Sequence, residues 1–304
     1  MNLHHNKEAF VELIIGAANE LAIPTNVIEK DYYVTIILKS LAEKMNDLVF
    51  KGGTSLTKCY QLLDRFSEDI DLSYTAESGK PGESRKKQLK KNIVSTIEEL
   101  GFRINNLETT RSRRNYNCYR ASYPSIYEQN VILKSELVIE TYVAMLPFPT
   151  TKRMVDNYIY RFLNKINRLD LAEIYDLMPF EITTQTIERT LVDKVFALCD
   201  YYMQGKIERH SRHLYDIHKI VEREGISGEL IKLIPEVRAV RSEIIVCPSA
   251  KEDICVTEIL QDILEHQVYK KDYDDITKGL LFVPESYENV TRSLKKIIDS
   301  GMWG

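Results

Sequence analysis

The 304-residue sequence predicts an α+β protein, in which a small mixed sheet with packed helices is followed by a helical C-terminal domain. Two patterns indicate this fold. DLVFKGG is typical of a short strand that runs into a glycine turn, and a helical segment, SLTKCYQLLDRF, and an alternating strand, EDIDLSY, follow it. From about residue 151, helical segments follow one another with short connectors. We therefore expect an α/β domain over residues 1–150 and a mainly helical domain over residues 151–304.

The other elements of the first domain follow from periodicity and turn residues. Apolar residues recur at helical spacing in NKEAFVELIIGAANELAI until Pro24 ends the pattern, and a second helix follows with Thr25 as its N-cap. After the acidic strand, the polar loop TAESGKPGES leads into a basic helix that ends near Leu100. Three strand-like runs complete the sheet, near Arg103–Arg111, Asn117–Tyr123 and Val131–Tyr142.

Net charge, cysteine spacing and apolar runs argue against several classes of protein. A net charge of −4 argues against a chain that is basic all over, as a non-specific nucleic-acid coat is. Positive charge is nevertheless bunched in SRKKQLKK and RSRRNYNCYR, which fits either a solvated surface or a local RNA-binding surface. The five cysteines show no C-x-x-C spacing and are expected to be reduced thiols. Neither a signal-peptide pattern nor a run of about 18 apolar residues occurs, so we expect a cytoplasmic protein without a membrane partner.

Two aspartates one residue apart, Asp69 and Asp71, are the clearest chemical signal. Alternate side chains of a strand share a face, so both carboxylates point away from the core that Ile70 and Leu72 enter. Such a pair repels itself unless a cation lies between its members. A hard divalent ion, above all Mg²⁺, removes this repulsion and also binds phosphate oxygens. The plainer interpretation is a pair of surface aspartates on an edge strand.

The glycine turn supports a phosphate site. Gly52 and Gly53 follow a strand and precede a helix, so their backbone N–H groups can approach a phosphate closely. The hydroxyls of Thr54 and Ser55 stand beside the same helix N-terminus. The G-x-x-x-x-G-K-[ST] spacing of a P-loop is absent, which excludes that class of ATPase.

These residues resemble a known family. KGGTSLTKCYQLLDRFSEDIDL is similar to the first motif of the nucleotidyltransferase (polymerase β-like) superfamily, a G-[GS]-[TS] turn, a helix and D-x-D. RFSEDIDL and the upstream IEKDYYVTIIL resemble the AbiEii toxin family, the toxins of AbiE-type abortive-infection and MenAT-like toxin–antitoxin systems. TLVDKVFAL and RHLYDIHKI match its lysine-then-aspartate arrangement with Lys194 and Asp216. The resemblance implies a nucleotidyltransferase-like sheet and a helical domain that completes the active site.

The resemblance also implies a role for each matching position. Asp69 and Asp71 would ligate Mg²⁺ and hold a nucleoside triphosphate. Lys194 would set a compact cation against the triphosphate, and Asp216 would orient Lys194 or the acceptor. The plainer alternatives are a lysine paired with Asp193 or Glu188 and an aspartate paired with Arg212. The residues assigned to nucleotide binding are Gly52, Gly53, Thr54, Ser55, Ser67 and Arg65.

Superfamily members commonly add a third carboxylate that accepts the proton of the attacking hydroxyl. VILKSELVIETYV offers Glu136 and Glu140 on one face, and we favour Glu140, which is nearer the PFPTTKRMV segment. Arg65 either contacts phosphate or pairs with Asp64 or Glu68. Ser67 lies near the metal site or serves as a turn or cap residue.

The resulting hypothesis is a magnesium-dependent nucleotidyltransferase toxin that transfers a nucleoside monophosphate to RNA. The 3′ end of tRNA is the best-motivated acceptor, and an antitoxin is the expected partner. The basic region Arg85–Arg120 would hold the RNA backbone, and Tyr116, Tyr119 and Tyr123 either stack on a base or pack in the core. Two alternatives stay open: the same chemistry on a small molecule or protein hydroxyl, and a non-catalytic interaction protein with this fold.

Overall fold

The computed structural model describes residues 1–65, 67, 69–127 and 136–303. Contacts divide the chain into two compact units. Unit 1 comprises Met1–Gln61 and Ser67–Gln185, and unit 2 comprises Leu62–Phe66 and Thr186–Gly304. Residues 151–185, which the sequence assigned to the second domain, therefore belong to unit 1.

Unit 1 combines helices with one mixed sheet. Its helices are α1 (Lys7–Leu21), α2 (Thr25–Lys44), α3 (Gly52–Lys58), α4 (Glu83–Glu99), α5 (Tyr158–Lys165) and α6 (Leu169–Ile174). Its strands are β1 (Leu48–Lys51), β2 (Ile70–Tyr74), β3 (Arg103–Ile104), β4 (Tyr116–Ser122), β5 (Glu136–Tyr142), β6 (Thr150–Val155) and β7 (Phe180–Gln185). The strand order is β3-β4-β5-β2-β1-β7-β6. Strands β2 and β5 run parallel, as do β1 and β7, and the other neighbours are antiparallel.

The predicted α+β class is confirmed, and the acidic strand β2 lies inside the sheet. Ile70 and Leu72 are fully buried, as the alternation predicted. The first of the three predicted later runs forms only the two-residue strand β3, and the second forms β4. The third forms β5, and the beginning of that run lies outside the described residues. Strands β6 and β7 were not predicted.

Helix α2 carries three consecutive buried charged residues, Glu29, Lys30 and Asp31. The Asp31 carboxylate accepts hydrogen bonds from Lys58 Nζ at 2.7 Å and from the Tyr158 backbone N–H at 3.1 Å. Lys58 is the last residue of α3, so the pair ties α2 to the helix that follows the glycine turn. Asp31, which lies in the motif IEKDYYV, thus links α2 to α3 and to the first residue of α5.

Glu29 binds the segment that follows β4 through hydrogen bonds. Its carboxylate accepts hydrogen bonds from the Ser125 hydroxyl and the Ile126 backbone N–H, each at 2.7 Å. Burial raises the pKa of Glu29, and these hydrogen bonds oppose that rise. The helix itself begins at Thr25 with Pro24 as its N-cap, one residue earlier than predicted.

Unit 2 is helical over the residues that the structure describes. Its helices are α7 (Ile187–Met203), α8 (Arg212–Glu224), α9 (Leu230–Ser242), α10 (Val256–Glu265), α11 (Lys270–Asp275) and α12 (Tyr287–Asp299). Helix α7 packs against α8, α9 and α10, and its Leu191, Val195 and Leu198 are buried. Across the described part of the chain, no single helix is long and apolar enough to cross a membrane. Helices α1 and α2 meet that test only as a pair, and the pair is bent by 114°.

We expect Asp31→Ala to destabilise the protein by about 3–5 kcal/mol, because it leaves the Lys58 ammonium buried without its carboxylate. Glu99→Ala is a matched control. It removes an exposed carboxylate that also lies 2.7 Å from a lysine, Lys44, and we expect it to cost about 0–1 kcal/mol. Urea unfolding followed by circular dichroism measures both, and equal losses in the two variants would contradict the interpretation.

Candidate active site

The glycine turn and the acidic strand are in direct contact. Gly52 is the first residue of α3 and has a φ of +81°. A Cβ added at Gly52 would lie 2.0 Å from Asp71 Oδ2, so the Asp71 carboxylate fills the space that a side chain would need. Both the backbone conformation and this close approach therefore require glycine at residue 52.

Hydrogen bonds from side-chain hydroxyl groups stabilise the same turn. Thr54 Oγ1 and Ser67 Oγ share a hydrogen bond of 2.8 Å, which joins α3 to the residues before the acidic strand. The Ser55 hydroxyl donates to the Gly52 carbonyl oxygen at 2.9 Å. Thr54 and Ser55 are buried, and Gly53, Ser67 and the two aspartates are half-buried. Gly52, Thr54, Ser55, Ser67 and Asp71 thus assemble around a single turn.

Strand pairing sets Lys51, Asp71, Glu140 and Cys118 at one level across four neighbouring strands. Lys51 is opposite Asp71, Asp71 is level with Glu140, and Glu140 is opposite Cys118. Residues paired in this way point to the same face of a sheet. All four are half-buried. We name these four residues the carboxylate row, after Asp71 and Glu140 at its centre.

Glu136 and Glu140 have different surroundings. Glu136 pairs with Ser122, and its carboxylate binds Asn105 Nδ2 at 2.6 Å and Arg120 Nη1 at 3.5 Å. Glu140, in contrast, is level with Asp71 and accepts a hydrogen bond from the Tyr116 phenol at 2.9 Å. Register therefore brings Glu140 beside the acidic pair.

Asp69, together with the carboxylates of the row, offers oxygen ligands of the kind that a hard divalent cation prefers. Asp69, Asp71 and Glu140 offer carboxylate oxygens, and Mg²⁺ is usually held by one or two carboxylates together with water and substrate phosphates. Within the described ranges, no three His, Cys, Asp or Glu side chains already form a metal cage. A cation bound jointly by Asp69, Asp71 and a triphosphate is compatible with both facts.

The other predicted residues form a buried ionic cluster in unit 2. Asp216 on α8 accepts hydrogen bonds from Arg65 Nε at 2.7 Å and Arg65 Nη2 at 2.8 Å. Lys194 Nζ on α7 donates to Asp216 Oδ2 at 2.6 Å. Arg65, Lys194 and Asp216 are all buried, and the Asp216 side chain has no exposed area. Two cations thus share one carboxylate, and we name the three residues the Asp216 cluster.

The cluster has a defined protonation pattern. Burial alone would raise the pKa of Asp216, but Arg65 and Lys194 outweigh it and hold that pKa far below its usual value. Burial lowers the pKa of Lys194, and Asp216 opposes this. Asp216 therefore remains a carboxylate at neutral pH.

The contacts decide between several alternatives that the sequence left open. Lys194 pairs with Asp216, whereas Asp193 is bound by Arg189 and Arg241. Asp64, one predicted partner of Arg65, binds Lys219 at 2.6 Å, and the other predicted partner, Glu68, lies outside the described residues. The pairing of Asp216 with Arg65 was not predicted, because the two residues are 151 positions apart in the chain.

The two basic segments of the sequence meet in space. Lys86 Nζ on α4 binds Asn115 Oδ1 at 2.5 Å, and Lys90 Nζ binds the Thr110 carbonyl oxygen at 3.0 Å. The exposed arginines of the connecting loop are Arg111, Arg113 and Arg114. We name this region, α4 together with residues 110–115, the basic surface. It leads directly into Tyr116, which contacts Glu140.

A glycine turn beside carboxylates on a mixed sheet is the arrangement that the resemblance to nucleotidyltransferases implies. The sequence model of the family described as "Nucleotidyl transferase AbiEii toxin, Type IV TA system" matches residues 36–298. The chain belongs to this family, and the predicted resemblance is confirmed. Membership implies a nucleotidyltransferase and a cognate antitoxin. No curated protein matches the chain.

Sequence reasoning missed three contributors to these sites. Lys51 stands immediately before the glycine turn, and only strand pairing brings it opposite Asp71. Tyr116 was considered for base stacking or core packing, whereas its phenol binds Glu140. Lys58 is joined to Asp31 within the family motif.

We expect Gly52→Ala to displace the Asp71 carboxylate and to abolish nucleotide transfer. Gly79→Ala is the matched control, because Gly79 also has a positive φ, +69°, but nothing lies within 4 Å of its added Cβ. Both variants place alanine at a positive φ, which costs about 1–3 kcal/mol in each. Transfer activity, measured beside unfolding free energy, tests the prediction, and an active Gly52→Ala enzyme would contradict the contact.

We expect Asp216→Asn to destabilise the protein by about 3–5 kcal/mol at pH 7, because it leaves two buried cations without their anion. The folded pKa of Asp216 is depressed, so its stabilisation is fully present above the unfolded pKa of about 3.9 and is lost as pH falls toward the folded value. Below about pH 4, wild-type stability should therefore fall more steeply than that of the variant.

Denaturant unfolding across acidic pH measures both effects. Asp170→Asn is the control, because the exposed Asp170 binds Arg168 through two hydrogen bonds of 2.9 Å, in the same bidentate manner as Asp216 binds Arg65. We expect a much smaller loss in this variant, since water screens the exposed pair. Parallel pH profiles for wild type and Asp216→Asn would refute the assignment.

Proposed function

We propose that the protein is a magnesium-dependent nucleotidyltransferase toxin that transfers a nucleoside monophosphate from a triphosphate to an RNA hydroxyl. The observation that carries this proposal is the carboxylate row, in which Glu140 stands level with Asp71 beside the Gly52 turn. Family membership supports the nucleotidyltransferase chemistry. The tRNA 3′ end is the proposed acceptor, and the cytoplasm is the proposed location.

Asp69 and Asp71 would hold the metal ion, which when bound neutralises triphosphate charge and orients the α-phosphate. The acceptor hydroxyl oxygen forms a bond to the α-phosphorus, while the bond from that phosphorus to the bridging oxygen breaks. Pyrophosphate leaves, and Glu140 takes the proton of the hydroxyl. Gly53, with the braced Thr54, would bind phosphate oxygens through backbone N–H groups.

The family resemblance supports the proposal that Lys194 and Asp216 also serve this activity. Within its unit, the buried Asp216 carboxylate fixes the Lys194 ammonium and the Arg65 guanidinium. A fixed cation stabilises triphosphate charge without reorganising during the reaction, which is the role that the family resemblance implies for Lys194. Asp216 is then a positioning residue for Lys194.

The basic surface favours a polyanionic acceptor. Exposed Arg113 and Arg114 stand on the loop that enters β4, the strand opposite Glu140. An RNA backbone laid along this loop would bring a terminal hydroxyl toward the carboxylate row. A small-molecule or protein acceptor gains little from such a surface, so RNA is the acceptor that the charge distribution supports.

Incubation of the purified protein with Mg²⁺, total tRNA and a triphosphate labelled at either the α- or the γ-phosphate tests the reaction. We expect α-label on RNA, no γ-label, and at least about a hundredfold loss in Asp69→Asn, because the isosteric amide removes one charge of the metal site. Label from the γ-phosphate on RNA or protein would indicate phosphoryl transfer and would overturn the proposal.

A second arm of this experiment tests the acceptor. We expect the charge reversals Arg113→Glu and Arg114→Glu, combined in one protein, to reduce labelling of RNA strongly and to weaken its salt dependence. Arg168→Glu is the control, a reversal on an exposed arginine that is bound to Asp170 in another part of unit 1. Full RNA labelling by the double variant would contradict the RNA-binding role of the basic surface.

A further inference from the structure

Tyr116, the first residue of β4, reaches diagonally across the sheet to Glu140. The residue directly opposite Tyr116 on β5 is Tyr142, and Glu140 is two positions before it on the same face. The Tyr116 phenol donates a hydrogen bond of 2.9 Å to Glu140 Oε1. The contact joins neighbouring strands that pair over seven positions.

The chemistry of the pair sets the direction of the hydrogen bond. Burial, and then the Glu140 carboxylate, raise the pKa of the Tyr116 phenol. The phenol therefore keeps its proton and acts as the donor wherever Glu140 is ionised. Burial and Glu140 also raise the pKa of Cys118, directly opposite Glu140, so that side chain is a neutral thiol at neutral pH.

Glutamate has three rotatable side-chain bonds, so a carboxylate that must take a proton needs something to fix its direction. A donor on Oε1 restricts these rotations and leaves the second carboxylate oxygen to receive the proton of the acceptor hydroxyl. We propose that Tyr116 is a positioning residue that aims the Glu140 carboxylate at the acceptor hydroxyl during nucleotidyl transfer. This inference rests on the proposed function and adds a residue to it.

The rival role for Tyr116 is base stacking, since its side chain is 49% exposed. The two roles use different parts of the residue, because stacking requires the ring and positioning requires the hydroxyl. Tyr116→Phe keeps the ring and deletes the hydrogen bond, whereas Tyr116→Leu deletes both. These variants therefore separate the two roles.

We expect Tyr116→Phe to lower kcat about tenfold or more, because it removes a hydrogen bond to a charged group, the Glu140 carboxylate that accepts the proton. KM for the triphosphate should be unchanged, since the lost hydrogen bond involves only the proton acceptor. Tyr119→Phe is the control, since it removes a phenol hydroxyl from the other face of the same strand. Thermal unfolding and triphosphate binding by calorimetry establish that each variant is folded and binds nucleotide.

The decisive measurement is a double-mutant cycle with Glu140→Gln. If Tyr116 acts through Glu140, adding Tyr116→Phe to Glu140→Gln lowers kcat no further. A full additional loss in the double variant, or an active Tyr116→Phe beside an impaired Tyr116→Leu, overturns the inference alone. A wild-type protein without transfer, or an unimpaired Glu140→Gln, overturns the proposed function and the inference with it.

Discussion

The close approach of the Asp71 carboxylate to Gly52 is the constraint on which the glycine turn and the carboxylate row depend. It requires β1 and β2 to pair so that Lys51 is opposite Asp71, and it requires residue 52 to lack a side chain. A one-residue slip of β2 would turn Asp71 into the core and bring the buried Leu72 or Ile70 to the turn. Core packing and site geometry are therefore specified by the same register.

Buried charge pairs hold the flanking elements. The pair of Lys58 with Asp31 joins α3 to α2, and the Asp216 cluster joins α7 and α8 to the segment Leu62–Phe66 within unit 2. Such pairs add little net stability compared with apolar packing, but losing one partner is costly. They are therefore better understood as devices that fix position than as a source of stability.

Local patterns predicted much of this architecture, because their causes are local. Periodicity of two residues correctly predicted the burial of Ile70 and Leu72, and glycine next to glycine indicated a turn. The signal failed where context overrides it. Strand β6 lies at the sheet edge with half of its residues exposed, and β7 buries the polar residues Thr184 and Gln185, so neither shows the apolar alternation of a strand.

The partners of site residues were harder to predict, because pairing between distant segments leaves no trace in local spacing. Glu136 and Glu140 are equivalent in sequence, since both have even spacing on one strand. Only the register of β5 with β2 and β4 separates them, bringing Glu140 to Asp71 and Glu136 to Ser122. The roles of these carboxylates in the reaction remain predictions.

Carboxylates in this protein fall into two classes that their neighbours distinguish. Asp216 is fully buried and shared by two cations, so a further cation beside it would meet net repulsion. The Asp216 carboxylate therefore has its countercharges within the chain. Asp71 and Glu140, in contrast, are half-buried and level with each other on the sheet face, so their two negative charges repel each other. The sheet carboxylates have a cation of the chain opposite them, Lys51 against Asp71, and in the proposed reaction a metal ion bound by Asp69 and Asp71 would add further positive charge.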